Sequence, residues 1–194
     1  MYMKLTENIM IFDTETVNMS ADTGFNMNNN MVFDFGCVIM DTDFNKIFRY
    51  NKLVKEIWEN AELMSKYVFD DEKLQWYKDE VAAGRLEVIP FAQMSKEVHA
   101  IIEEYDVEVF SAYNMGFDVR AVSDTAMSLK SGIFIDFDNE ECWDLYHMAC
   151  HALQGNDNYV VACMENGLVS PSGNIKANAE AVYSFITNNF AFIE

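Results

Sequence analysis

The run Asn8-Ile9-Met10-Ile11-Phe12, closed by Asp13, constrains this chain more than any other segment. Consecutive apolar residues cannot alternate between a wet face and a dry one. The run therefore reads as a buried central strand, of the kind that α/β proteins cover on both sides.

The segments that follow fit that frame. Asn18 to Asn30 is polar and Asn-rich, with Gly24 and no apolar periodicity, and predicts a loop. Met31 to Met40 reads as a second strand, Asp41-Thr42-Asp43 as a turn, and Lys46 to Val54 as a third strand, so that the three form an antiparallel meander. Helical pattern is expected over Glu56–Tyr67, over Asp70–Ala83 with Gly84 as its stop, and from Pro90 to Tyr105. Glu108 to Ala112 predicts a fourth strand, Asp118 to Leu129 a helix, and Ile133 to Asp136 a fifth strand. Glu141–Leu153, Tyr159–Asn166 and Ala177–Thr187 complete the helices, with a turn at Ser170-Pro171-Ser172-Gly173. This order gives an α/β fold, a mixed sheet flanked by helices.

Two places carry chemistry. Asp13-Thr14-Glu15 ends the first strand, and alternation puts both acids on one side, about 7 Å apart along the chain. Two such carboxylates repel unless a cation lies between them, and an oxygen-only set suits a hard ion such as Mg²⁺. The second place is Asn114-Met115-Gly116-Phe117-Asp118, directly after the fourth strand, with Asp118 near a helix start where the dipole favours negative charge. A solvated strand end and a helix N-cap are the bland alternatives. The acids converge only if the first and fourth strands are neighbours, running parallel, with their carboxyl ends together.

At these residues the chain resembles the DEDD (DnaQ-like) 3′–5′ exonuclease superfamily, in particular its phage-encoded members. Ile11-Phe12-Asp13-Thr14-Glu15-Thr16 is similar to its first motif, and Asn114-Met115-Gly116-Phe117-Asp118 to its second, Asn-x-x-Phe-Asp. The resemblance implies a ribonuclease-H-like mixed five-stranded sheet, order 3-2-1-4-5 with strand 2 antiparallel. It also implies hydrolysis at the 3′ end of single-stranded DNA or RNA with two Mg²⁺ or Mn²⁺ ions. Asp13 would bridge both ions, Glu15 would hold the first and Asp118 the second. Thr14, Thr16, Asn114 and Phe117 stand as candidate substrate contacts, and the amides near Thr14 and Glu15 as contacts to the terminal nucleotide. Phe117 also suits core packing.

The resemblance further implies a third motif, a His or Tyr followed by an Asp on a final helix. No Asp follows Asp157, so residues 1–194 are expected to form one exonuclease-like domain ending before that helix. Glu180 with Lys176 is no substitute, because a lysine is a cation near neutral pH. His99 has no partner in sequence, and His147 and His151 share a helix face without a third ligand.

Composition leaves a second reading open. Thirteen basic and 32 acidic residues give a net charge of −19, which repels polyanions except at a local basic or metal-neutralised site. A solvated surface accounts for this charge, and so does a non-catalytic module that meets a protein partner through its acidic face. Cys37, Cys142, Cys150 and Cys163 form no Cys-x-x-Cys pair, and no run is long and apolar enough for a membrane span. A cytoplasmic protein is expected, in the host cytoplasm if phage-encoded, with no membrane partner.

Overall fold

The computed structural model describes residues 6–18, 30–67, 71–131, 135, 137, 140–153, 155–170 and 173–188. The chain divides into two compact units, one of residues 1–112 and 116–142, the other of residues 113–115 and 143–194.

The first unit is built on β1 (Asn8–Asn18), β2 (Asn30–Met40) and β3 (Lys46–Val54), each antiparallel to the one before. Asn18 and Asn30 are the last and first residues of their strands and pair in register, so the meander extends further than the polar sequence suggests. The residues between Asn18 and Asn30, expected as a loop, lie outside those described. The turn at Asp41 forms as predicted: its carbonyl accepts the Phe44 amide at 2.9 Å, and its carboxylate the amides of Asp43 and Asn45.

Glu56–Tyr67 is not one helix. It breaks into α1 (Lys55–Trp58) and α2 (Ala61–Met64), because the Asn60 side chain accepts the amides of Glu62 and Leu63 and so starts a new helix. Next come α3 (Asp71–Ala82), a short β4 (Glu87–Ile89) absent from the sequence reading, and α4 (Phe91–Glu104), which Pro90 caps. β5 (Val107–Ala112) lies parallel to β1, as the convergence of the two acid motifs requires, and α5 (Met115–Leu129) follows.

The sheet has six strands in the order β4-β3-β2-β1-β5-β6, with β4 parallel to β3. The expected neighbours 3-2-1-4 are present as β3-β2-β1-β5, with β4 added at one edge. The fifth expected strand, Ile133–Asp136, falls outside the described residues apart from Ile135, which is not in a strand. The edge is instead β6 (Glu141–Asp144), read from sequence as helical. The helix begins only at α6 (Leu145–Leu153), because Asp144 accepts the amides of Tyr146 and His147 and caps it.

One face of the β1–β3 sheet is closed. The Tyr50 hydroxyl donates to Glu97 of α4 at 2.7 Å, and Met94, Val98 and Phe110 are buried. α5 is tied to β2 by Thr125, which is fully buried, accepts the Val32 amide at 2.8 Å and donates to the Ala121 carbonyl at 2.7 Å. Thr125→Val keeps the volume but leaves that amide unsatisfied, and should cost about 1–2 kcal/mol. Urea denaturation measures it, and an unchanged midpoint would count against the tie.

In the second unit, α6, α7 (Asp157–Glu165) and α8 (Ala179–Thr187) enclose Tyr159, Cys163, Leu168, Ala181 and Val182. Asn156 and Asn178 cap α7 and α8. Among the described residues no helix is long and apolar enough to cross a membrane.

Candidate active site

Strand register fixes the site. Directly opposed residues on neighbouring strands share a face, so three rows cross the sheet: Ile11–Val38–Arg49, Asp13–Gly36–Asn51 and Glu15–Asp34–Leu53. This face is the one opposite Tyr50, and it forms a groove of about 550 Å³. Asp13, Glu15 and Asp34 stand together on its floor.

α3 borders the groove beside the third row. Lys73 and Tyr77, one helical turn apart, share a helix face. The Lys73 ammonium pairs with the Glu15 carboxylate, and the Tyr77 hydroxyl donates to Asp34 Oδ2 at 2.5 Å. Asn51 Nδ2 donates to Asp34 Oδ1, also at 2.5 Å.

The three acids differ in their surroundings. Asp34 is 7% exposed, and burial pushes its carboxyl up to about 6, against the opposing pull of Tyr77 and Asn51. Asp13 opens onto the groove, yet loss of solvent and then repulsion from Glu15 raise it, with Lys73 offsetting part. Burial, the largest single influence, would lower the Lys73 ammonium; its bond to Glu15 together with the charges of Glu15, Tyr67 and Asp13 outweighs that and leaves it raised.

Asp118 lies on the β5 side of β1. The last β1–β5 rung is Ile11↔Ser111, and beyond it the Thr14 amide donates to Asp118 Oδ1 at 3.0 Å, the Thr14 hydroxyl at 2.7 Å. Asp118 is 3% exposed and is pushed up to about 6, first by burial and in lesser part by the charge of Asp13. The two acid motifs are thus neighbours, and Asp118 sits in the first turn of α5 rather than at its cap. Removing the hydroxyl in Thr14→Val should move the Asp118 carboxyl further above 6, because a bond to the charged form is lost. NMR titration of that carboxyl checks it; a fall in pKa would contradict the assigned cause.

The remaining candidates lie elsewhere. The Thr14 amide, expected near a nucleotide, is given to Asp118. The Thr14 and Thr16 side chains are buried, and Phe117 is half-buried. Asn114, exposed and at φ +63°, belongs to the second unit, where it lines a separate cavity with Tyr113, Tyr146 and Lys176. Sequence reasoning missed Asp34, a lone acid within the apolar run Met31–Phe35, and a register count would have placed it opposite Glu15.

Among the described residues no three His, Cys, Asp or Glu side chains are grouped so as to hold a metal ion. The pair Asp13 and Glu15 suits a different mode. Mg²⁺ commonly keeps several waters and is held by one or two carboxylates, with substrate phosphate completing its shell. The donors fit a hard, hydrated cation and do not form a closed cage.

No family model matches the chain, and no curated protein matches it in sequence. Solved structures do share its architecture. Exonuclease I in complex with the inhibitor BCBP superimposes with a TM-score of 0.56 at 15% identity, over 93% of this chain and 36% of that one. E. coli exonuclease I with a 5cy-dT13 oligonucleotide gives 0.53 at 14%, over 94% and 36%. A 3′-exonuclease, from a study of 3′-end recognition of the histone mRNA stem-loop, gives 0.55 at 10%, over 95% and 63%. The chain spans less than two thirds of the length of each. At these identities the likeness is one of fold: the chain has the mixed α/β fold of exonuclease I and of that 3′-exonuclease.

Proposed function

We propose that this protein hydrolyses phosphodiester bonds at the 3′ end of a nucleic acid, with Asp13, Glu15 and Asp118 as its acidic centre. The observation that carries the reading is the placement of Asp13 and Glu15 side by side on the central strand just beyond its last rung with β5, the strand itself running on to Asn18. They face an open groove, and Asp118 is close enough to feel the Asp13 charge. Exonuclease neighbours of the same fold were solved with single-stranded DNA, which favours the same substrate class here.

Asp13 and Glu15 would hold a Mg²⁺ or Mn²⁺ ion, with Asp118 on the side where a second would sit. Such an ion supplies Lewis acidity and neutralises phosphate charge. Hydrolysis puts the hydroxyl of water on phosphorus and its proton on the departing 3′ oxygen. Lys73 holds Glu15 in place and balances a floor of three acids, and the Thr14 bonds fix Asp118. The four cysteines are free, which fits a reducing compartment such as the cytoplasm.

The test is shortening of a 5′-labelled oligonucleotide from its 3′ end in Mg²⁺ or Mn²⁺, abolished by EDTA. A second reading is favoured by the lack of a three-ligand set among the described residues: a fold kept for binding a partner through its acidic surface. It requires that the oligonucleotide stay intact under every ion tried.

A further inference from the structure

We infer that the open face of β1–β3 is a track for single-stranded nucleic acid, with Lys46 and Arg49 on its phosphates and Trp76 stacked on a base. The inference deepens the hydrolytic reading, and rests on it only for which end of the strand lies at Asp13.

Charge supplies the first argument. In a chain with 32 acidic and 13 basic residues, most of the surface repels a polyanion. Several cations are matched by acids, Lys52 with Glu87, Lys73 with Glu15 and Arg85 with Glu80 among them, and Lys73 is the cation on the acidic side of the groove. Lys46 and Arg49 are exposed, line the groove and make no ion pair with any described residue. Two uncommitted cations therefore face the same groove as the acids, at the far side of the floor. From β1 to β3 is two strand spacings, about 10 Å. The positive side can meet backbone phosphates while the acidic side meets the scissile bond.

Shape supplies the second. Gly36 stands between Asp13 and Asn51 in the middle row, and a Cβ there would lie 3.3 Å from Asn51 Nδ2. The floor is thus kept at backbone level between the two sides of the groove.

The third argument is Trp76. It lines the groove from α3 while 50% exposed, its ring set edge-on against Tyr77 with centroids 4.9 Å apart. A positioned, half-exposed indole beside unpaired cations is the combination by which proteins hold single strands: stacking tolerates any base, and the cations follow the backbone. A duplex keeps its bases stacked on each other and offers none to Trp76.

Binding is measured by fluorescence anisotropy with labelled oligothymidylate, an RNA of equal length and a DNA duplex, all carrying phosphorothioate linkages at their 3′ ends. Trp76→Ala should weaken single-strand binding about tenfold, and Trp76→Phe should restore most of it. The double variant Lys46→Ala/Arg49→Ala should flatten the slope of log affinity against log salt by about 1.4. Binding of RNA and DNA alike assigns recognition to backbone and base faces, and a preference for either assigns the natural strand. Duplex binding as tight as single-strand binding, indifference to all three side chains, or no saturable binding by the native chain overturns the inference. Cleavage is scored separately. Binding that depends on these residues without any cleavage sinks the hydrolytic reading and leaves the track. Cleavage that depends on Asp13 but not on these residues does the reverse.

Discussion

Asp13→Asn should slow 3′-end hydrolysis by about 10³-fold and at the same time make the protein more resistant to heat. The rate loss follows from the position of Asp13 on the groove floor beside Glu15, where its charge also reaches Asp118. Under the proposed mechanism Asp13 would anchor the catalytic cation, and removing that carboxylate forfeits several kcal/mol of transition-state stabilisation, each 1.36 kcal/mol being tenfold. The stability gain follows from its surroundings. Loss of solvent and the charge of Glu15 both disfavour the ionised form, so the Asp13 carboxyl is raised in the folded state. A raised group favours folding in its protonated form, at pH below the ordinary carboxylate range, and that contribution is lost as pH rises through the folded value. At pH 8 a neutral Asn avoids the repulsion; in acid, where Asp13 is protonated, it gains nothing. Single-turnover cleavage and melting curves at pH 8 and in acid read both effects. A structural residue would lose rate and stability together. Equal cleavage by both proteins would remove Asp13 from the mechanism.

The central strand, its acids and its neighbours were legible because each rests on short-range pattern. Ile9–Phe12 is too short an apolar run for a helix and reads as a buried strand, alternation put Asp13 and Glu15 on one side, and β5 parallel to β1 followed from an intervening helical stretch. What escaped depends on partners distant in sequence. Asp34 becomes part of the site only because β2 runs antiparallel to β1 in a register that sets it opposite Glu15. Lys73 and Trp76 read as ordinary amphipathic residues until α3 is laid beside the groove. The break at Asn60 and the strand at Glu141–Asp144 escaped for another reason. There a single capping side chain, Asn60 or Asp144, overrides a helical periodicity that continues through it. Asp118 shows both sides: its motif is visible in sequence, but its commitment to Thr14 comes from a strand more than a hundred positions away.

Asp34→Asn should shift the balance of stability with pH more than any other single change on the groove floor. Asp34 is 7% exposed, and its carboxyl is pushed from 3.8 up to about 6, chiefly by burial. The protonated form favours folding fully below the ordinary value of 3.8, and that contribution disappears as pH rises through 6. By pH 8 the native protein therefore carries a charge whose burial costs about 3 kcal/mol relative to the neutral acid. Asparagine has no charge to bury and can keep both neighbours. Its carbonyl accepts from Asn51 as Asp34 does, and its amide can donate to a Tyr77 hydroxyl rotated to accept. The variant should gain on the native protein as pH rises, by roughly half of that 3 kcal/mol between pH 5 and pH 8, since the unfolded chain already titrates below pH 5. Urea midpoints at the two pH values measure the gain, and a difference that stays constant with pH would mean that the charge of Asp34 is not buried. A cost of this size at a position where a neutral isostere satisfies the same hydrogen bonds makes sense where a negative charge is wanted. Asp34 sits opposite Glu15, beside the two carboxylates proposed to hold a cation, and its charge would add to the field that draws one to them. Weaker Mn²⁺ binding by the more stable variant is the outcome that this trade requires.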